Sequence, residues 1–162
     1  MVSYRLVIGI TAGITMSFFT IFFFNMTDIL VQLNLYLQTD VLKSIIILLG
    51  ANFKFDIISF FAGTPSFFDF FAPQLLASIF IGFLSGTIAK GLKRGLIASL
   101  IVVVVDFLIW MLLSVISGED LMALFQGGQL SATIGGVLSA VIGSLLGGIV
   151  GGAISGPYEE VY

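Results

Sequence analysis

The sequence predicts an all-α integral membrane protein, a bundle of four transmembrane helices with one sizeable segment outside the membrane. Three observations carry this. Of the 162 residues, 59% are hydrophobic and only 9% charged, a balance suited to lipid rather than to water. Apolar runs near or above the roughly 20 residues that cross a bilayer recur along the chain. Third, Leu130 to Gly156 reads LSATIGGVLSAVIGSLLGGIVGGAISG, and every fourth position from Ser131 or from Ala132 is small. Those two series hold Gly135, Gly143, Gly147 and Gly151, and Gly136, Gly148 and Gly152. The series from Leu130 is uniformly large: Leu130, Ile134, Leu138, Ile142, Leu146, Val150, Ile154. In water each glycine would cost a helix about 1 kcal/mol relative to alanine. In lipid the backbone must satisfy its own hydrogen bonds, so the stretch is helical. Its two small ridges then admit neighbouring helices closely, as a glycine zipper.

The spans follow in order. Met1 to Arg5 is a short polar start, and Leu6 to Phe24 has no formal charge and forms the first span, approximately residues 6–24. A positive start before an apolar run resembles a signal peptide. The run is longer than the usual apolar region and ends in FFTIFFFN without a small-residue cleavage site, so it is expected to be retained. Gly9, Gly13 and Ser17 repeat the spacing of four, and the hydroxyls of Thr11 and Thr15 can bond back to their own helix or across it.

Residues 25–73 are expected outside the membrane. Val31, Leu33, Leu35 and Leu37 alternate with Gln32, Asn34, Tyr36 and Gln38 as in a strand, whereas Leu30, Leu33, Leu37 and Val41 share one helical face. Asp40 suits the N-cap of a short helix ending at Gly50, and Thr64-Pro65 suits another helix start. Short helices lying along the membrane surface are favoured, with a small hairpin or a re-entrant pair as alternatives. Val41 to Phe61 is not expected to span. Lys54 and Asp56 would then lie inside it, and charges near a helix centre cost about 3 kcal/mol each.

Pro73 opens the second span, approximately residues 74–89, which carries Gly82 and Gly86. The turn KGLKRG supplies Lys90, Lys93 and Arg94. The third span, 96–116, is valine-rich and interrupted only by Asp106, and the glycine-rich stretch is the fourth, 130–155. The tail PYEEVY is acidic. Arg5 and the Lys90–Arg94 cluster fall on one side, so the positive-inside rule places both termini in the cytoplasm of a cell membrane. The same three basic residues can meet anionic lipid headgroups.

Composition narrows the function. The chain has no cysteine and no histidine, which removes thiol chemistry, the commonest metal ligand and the usual general base near neutral pH. The basic residues are too few for nucleic-acid binding. No glycine belongs to a phosphate-cradling motif. Neither a cofactor nor a metal is expected, and no catalytic residue is assigned. Eight phenylalanines fall between Phe53 and Phe71, in a segment suited to covering the outer ends of the spans.

One residue stands out against this background. Asp106 lies at the midpoint of its span, and Ser99, Trp110 and Ser117 fall near its face at 100° per residue. Intramembrane acids are costly and mark ion or proton pathways, or else pair with a hydroxyl or carbonyl of a neighbouring helix. The sequence therefore points to a non-catalytic membrane subunit or scaffold. Its glycine-rich helices would pack against copies of itself or other membrane subunits. The alternative is a proton or cation channel or transporter component using Asp106, Ser99 and Trp110.

Overall fold

The computed structural model describes residues 4–36, 40–118, 120, 122 and 125–157. It therefore leaves out Leu37 and Gln38 of the alternating stretch, Glu119, and the acidic tail from Tyr158 onward. Among the described residues the chain is helical and contains no strand. Eight α-helices are described, named here α1 (Tyr4–Phe24), α2 (Met26–Tyr36), α3 (Val41–Gly50), α4 (Ile57–Ala62), α5 (Phe67–Phe70), α6 (Pro73–Ala89), α7 (Leu92–Ile116) and α8 (Gly127–Ile154). A 3₁₀ turn, Ala51–Phe53, links α3 towards α4. The hairpin alternative for residues 27–72 is thereby replaced by short helices in the described part.

Four stretches are long and apolar enough to cross a membrane: Tyr4–Phe24, Val41–Ala62, Leu92–Ile116 and Gln129–Ile154. The chain is a multi-pass membrane protein. Three of these stretches overlap the first, third and fourth expected spans. The second differs. Pro73–Ala89 has 17 residues, about 26 Å at 1.5 Å per residue against a hydrocarbon core of about 30 Å. Val41–Ala62 takes its place among the long apolar stretches.

The physical reason lies in how that stretch handles its charges. Lys54 and Asp56 fall in a break between helices rather than at a helix centre. Lys54 Nζ donates to Gln32 Oε1 at 3.2 Å. Asp56 is the N-cap of α4, its Oδ1 accepting the backbone N–H groups of Ile58 and Ser59 at 3.0 and 3.1 Å. Asp40 caps α3 in the same way through the N–H of Lys43, as its place in the sequence suggests. The break divides the stretch into helices of 10 and 6 residues, about 15 and 9 Å long.

Around this break the long helices pack by ridges of small residues. On α8 the residues Gly135, Gly136, Ser139, Ala140, Gly143, Ser144, Gly147, Gly148, Gly151 and Gly152 are all buried, while every member of the Leu130 series is exposed. The absent side chains are replaced by other backbones. A Cβ at Gly82 would run into the carbonyl of Ser144, and one at Gly147 into the carbonyl of Ile79. One at Gly86 would lie 2.6 Å from the Gly148 carbonyl oxygen, and one at Gly152 2.7 Å from that of Gly91. Gly151 meets Phe83 in the same manner. A strict spacing of four on a helix of 3.6 residues per turn makes the ridges wind. Accordingly the neighbour changes along α8, from Asp56 and Phe53 at Gly135 and Gly136, to α6, to the start of α7. On α1, Gly9 faces Ser85 and Ala89 while Gly13 faces Val102.

These contacts grade the glycines. Gly147→Ala puts a methyl against a backbone carbonyl that no rotamer change can move, and overpacking of this kind costs about 1–3 kcal/mol. At Gly143 the nearest atoms are Leu75 Cδ1 and Ser78 Cβ at 3.1 Å and the Leu75 carbonyl oxygen at 3.2 Å, a tight contact but well short of the overlap at Gly147. Gly147→Ala is expected to lower the thermal midpoint of the purified protein in detergent and broaden its size-exclusion peak. Gly143→Ala is expected to move both less; equal behaviour of the two would refute close packing at Gly147.

Candidate functional site

Polar side chains inside an apolar bundle must find partners, because an unpaired group far from water costs a few kcal/mol. Most hydroxyls here solve this within their own helix. Thr11 donates to Val7 O and Thr15 to Thr11 O, Thr20 to Met16 O, Ser85 to Ile81 O, each four residues back. Ser99 donates to Leu96 O at 3.0 Å and its own carbonyl receives the hydroxyl of Ser144 from α8 at 3.1 Å. That bond ties α7 to α8 where Gly148 allows Ser99 to approach.

Asp106 is 3% exposed, in the middle of α7. The polar group set against its carboxyl is the hydroxyl of Ser17 on α1. Ser17 is also where Asn52 of the 3₁₀ turn is anchored, its Nδ2 donating to Ser17 O at 3.0 Å and to Leu49 O at 3.3 Å. Asn52 is 4% exposed. Next to these residues the rings of Phe53 and Phe107 meet at 5.6 Å, and Trp110 packs on both, 5.7 Å from Phe53 and 5.9 Å from Phe107. Gly50 leaves the room that the indole edge of Trp110 occupies. Trp110 also lines an open, mostly apolar groove of about 450 Å³ that runs past Lys54 and Gln129.

The residues grouped by sequence on one face of α7 thus meet different elements. Ser99 faces α8, Asp106 faces α1, and Trp110 faces α3 and the 3₁₀ turn. Ser117 ends the helix with a buried hydroxyl oxygen that has no partner. Sequence reasoning missed Asn52, which bonds the carbonyl of the serine that faces Asp106; the one available signal was an amide inside ILLGANF, too apolar a setting for a solvated side chain. Ser17 was legible only as part of a small-residue spacing.

At the other end of the bundle, Lys90 adopts φ 53° and Gly91 φ 86° in the turn between α6 and α7. Lys93 is exposed, and Lys90 and Arg94 are half-buried. Gly9 near Ala89 and Gly152 near Gly91 bring Arg5 and this turn to the same end. Of the carboxylates outside the long helices, Asp69 and Asp120 are exposed, and Asp120 Oδ1 accepts the N–H of Met122. Among the described residues no group of three histidine, cysteine, aspartate or glutamate side chains could hold a metal ion. Comparison with family models, with curated proteins and with solved structures gives no match.

The Ser144–Ser99 bond can be weighed directly. Hydrogen bonds between membrane helices contribute about 0.6 kcal/mol on average. Ser144→Ala is expected to cost that order of stability in a detergent unfolding titration, with the helical signal of the folded state unchanged; a loss of helicity would show that the hydroxyl does more than join two helices.

Proposed function

We propose that this chain is a small, non-catalytic subunit or scaffold of a membrane complex. The carrying observation is the division of α8 into two faces. Its small residues are used up against Phe53 and Asp56, α6 and the start of α7 inside the chain, and its seven large aliphatic residues from Leu130 to Ile154 are all exposed. The glycine ridges, read as a zipper, then close the bundle itself. The surface left for copies or for another membrane subunit is the outward aliphatic face of α8 together with that of α7, where Val104, Leu108, Leu112 and Val115 are exposed.

The basic end with Arg5, Lys90, Lys93 and Arg94 is placed on the cytoplasmic side by the positive-inside rule, with anionic headgroups around it. α3 and α4, with the break after the 3₁₀ turn as their inner tip, are read as a re-entrant pair entering from the opposite side. The phenyl rings of Phe60, Phe61, Phe70 and Phe71 contact one another there, and suit the interfacial layer. The near-complete burial of Asp106 favours the scaffold over a conducting channel, because a conduction pathway needs water or a lined passage at the acid.

Chemical crosslinking in native membranes followed by native mass spectrometry tests this. A defined oligomer, or one recurring membrane partner at fixed stoichiometry, is expected. Leu138→Trp and Leu146→Trp are expected to weaken that assembly while leaving the monomer folded. A monomer with no companion, in mild detergent and in nanodiscs alike, would overturn the proposal.

A further inference from the structure

The cluster around Ser17 has a shortage of protons. Its donors are the hydroxyl of Ser17 and the amide of Asn52. The hydroxyl has a single proton, engaged at 2.7 Å by the carbonyl of Ile14, so it can serve Asp106 only by turning away from that bond. The two amide protons of Asn52 go to the carbonyls of Ser17 and Leu49. Left over are acceptors: Oδ1 of Asp106 and Oδ1 of Asn52 are both buried and both without a partner. Each belongs to a side chain more than nine-tenths buried; Asp106 is set against the Ser17 hydroxyl, and the Asn52 amide nitrogen bonds the Ser17 carbonyl.

Among the described residues no charged side chain supplies what is missing. In α6, α8 and α4 the described helices carry none. On α1 the only charge is Arg5, in the first turn, and on α7 Lys93 and Arg94 precede Asp106 by about 18 Å along the axis. Asp28 lies in the first turn of α2. Lys43 of α3 sits over the ring of Tyr36. Lys54 donates to Gln32, and Asp56 caps α4.

We propose that Asp106, Asn52 and Ser17 form an occluded site for one small cation, either a proton or a sodium ion, held between the carboxylate and the amide oxygen. The two sources share one chemistry. Hard oxygen donors suit an alkali cation, and a proton on the carboxyl would supply the one donor the cluster lacks. The site is independent of the scaffold proposal, since it concerns what fills the bundle rather than what surrounds it.

The chain carries its own reporter. Trp110 is the sole tryptophan; it lies one helical turn beyond Asp106 and packs on Phe53, the neighbour of Asn52. The full chain in nanodiscs is titrated with sodium chloride at constant ionic strength (choline balancing) and alkaline pH, and separately with pH in the absence of sodium. Trp110 emission and the thermal midpoint are followed. A saturable response to sodium identifies the ion, and a response to pH alone identifies the proton. Asp106→Asn is expected to abolish either response, and Asn52→Ala, which keeps the carboxylate, to weaken it at least tenfold. A wild-type protein flat in both titrations, or a response that Asp106→Asn or Asn52→Ala leaves unaltered, overturns the proposal. Crosslinking results do not bear on these outcomes, so failure of one proposal is distinguishable from failure of the other.

Discussion

The approach of α6 and α8, backbone against backbone, is the constraint on which the rest of the bundle depends. Inside lipid no hydrophobic effect drives two helices together, so their association rests on packing and on polar contacts. Removing side chains along Gly82, Gly86, Gly147 and Gly151 lets carbonyls lie where methyl groups would otherwise be. Many weak dispersion contacts then form over a long seam, each worth only about 0.1–0.2 kcal/mol but numerous. The same glycines would weaken a helix in water. The bilayer removes that penalty, because no solvent competes for the backbone bonds.

A tight seam determines what the interior can hold. Where helices nearly touch, the only polar side chains that fit are small: Ser78, Ser85, Ser99, Ser139 and Ser144 are all buried. Several of them donate to a carbonyl three or four residues back, which keeps the interior neutral without demanding a cross-helix partner. Ser144 is the exception that reaches across. Asp106 departs from this pattern. It is larger and acidic, and it sits not on the α6–α8 seam but on the side facing α1 and the 3₁₀ turn. There Asn52 adds an amide to the one serine within reach.

The middle of the chain follows from a different rule. Two charges two positions apart cannot sit at the centre of a lipid-facing helix cheaply. The chain resolves this by breaking the helix, so that Asp56 becomes an N-cap and Lys54 finds a side-chain oxygen. A break also frees backbone groups, and the 3₁₀ turn with Asn52 pressed into the bundle is where the chain absorbs that change.

The sequence by itself determined much of this. Between Gly135 and Gly152 the spacing of four in α8 separates buried from exposed residues, because in a helix a shared face is a matter of arithmetic; at the ends Ser131 is exposed and Ala132 and Ser155 are half-buried. The same arithmetic, with length, located three of the four long apolar stretches, and Asp40 announced its helix. Tertiary structure alone decided the remainder. Composition made Val41–Ala62 look too charged for a span, yet cannot foresee a break at Lys54–Asp56 that takes both charges out of the helices. Periodicity put Ser99, Asp106 and Trp110 on one face of α7, but a bundle surrounds that face with three different neighbours. That Asn52, 54 residues before Asp106, meets the same serine depends on how non-adjacent helices pack, and no local pattern encodes that distance.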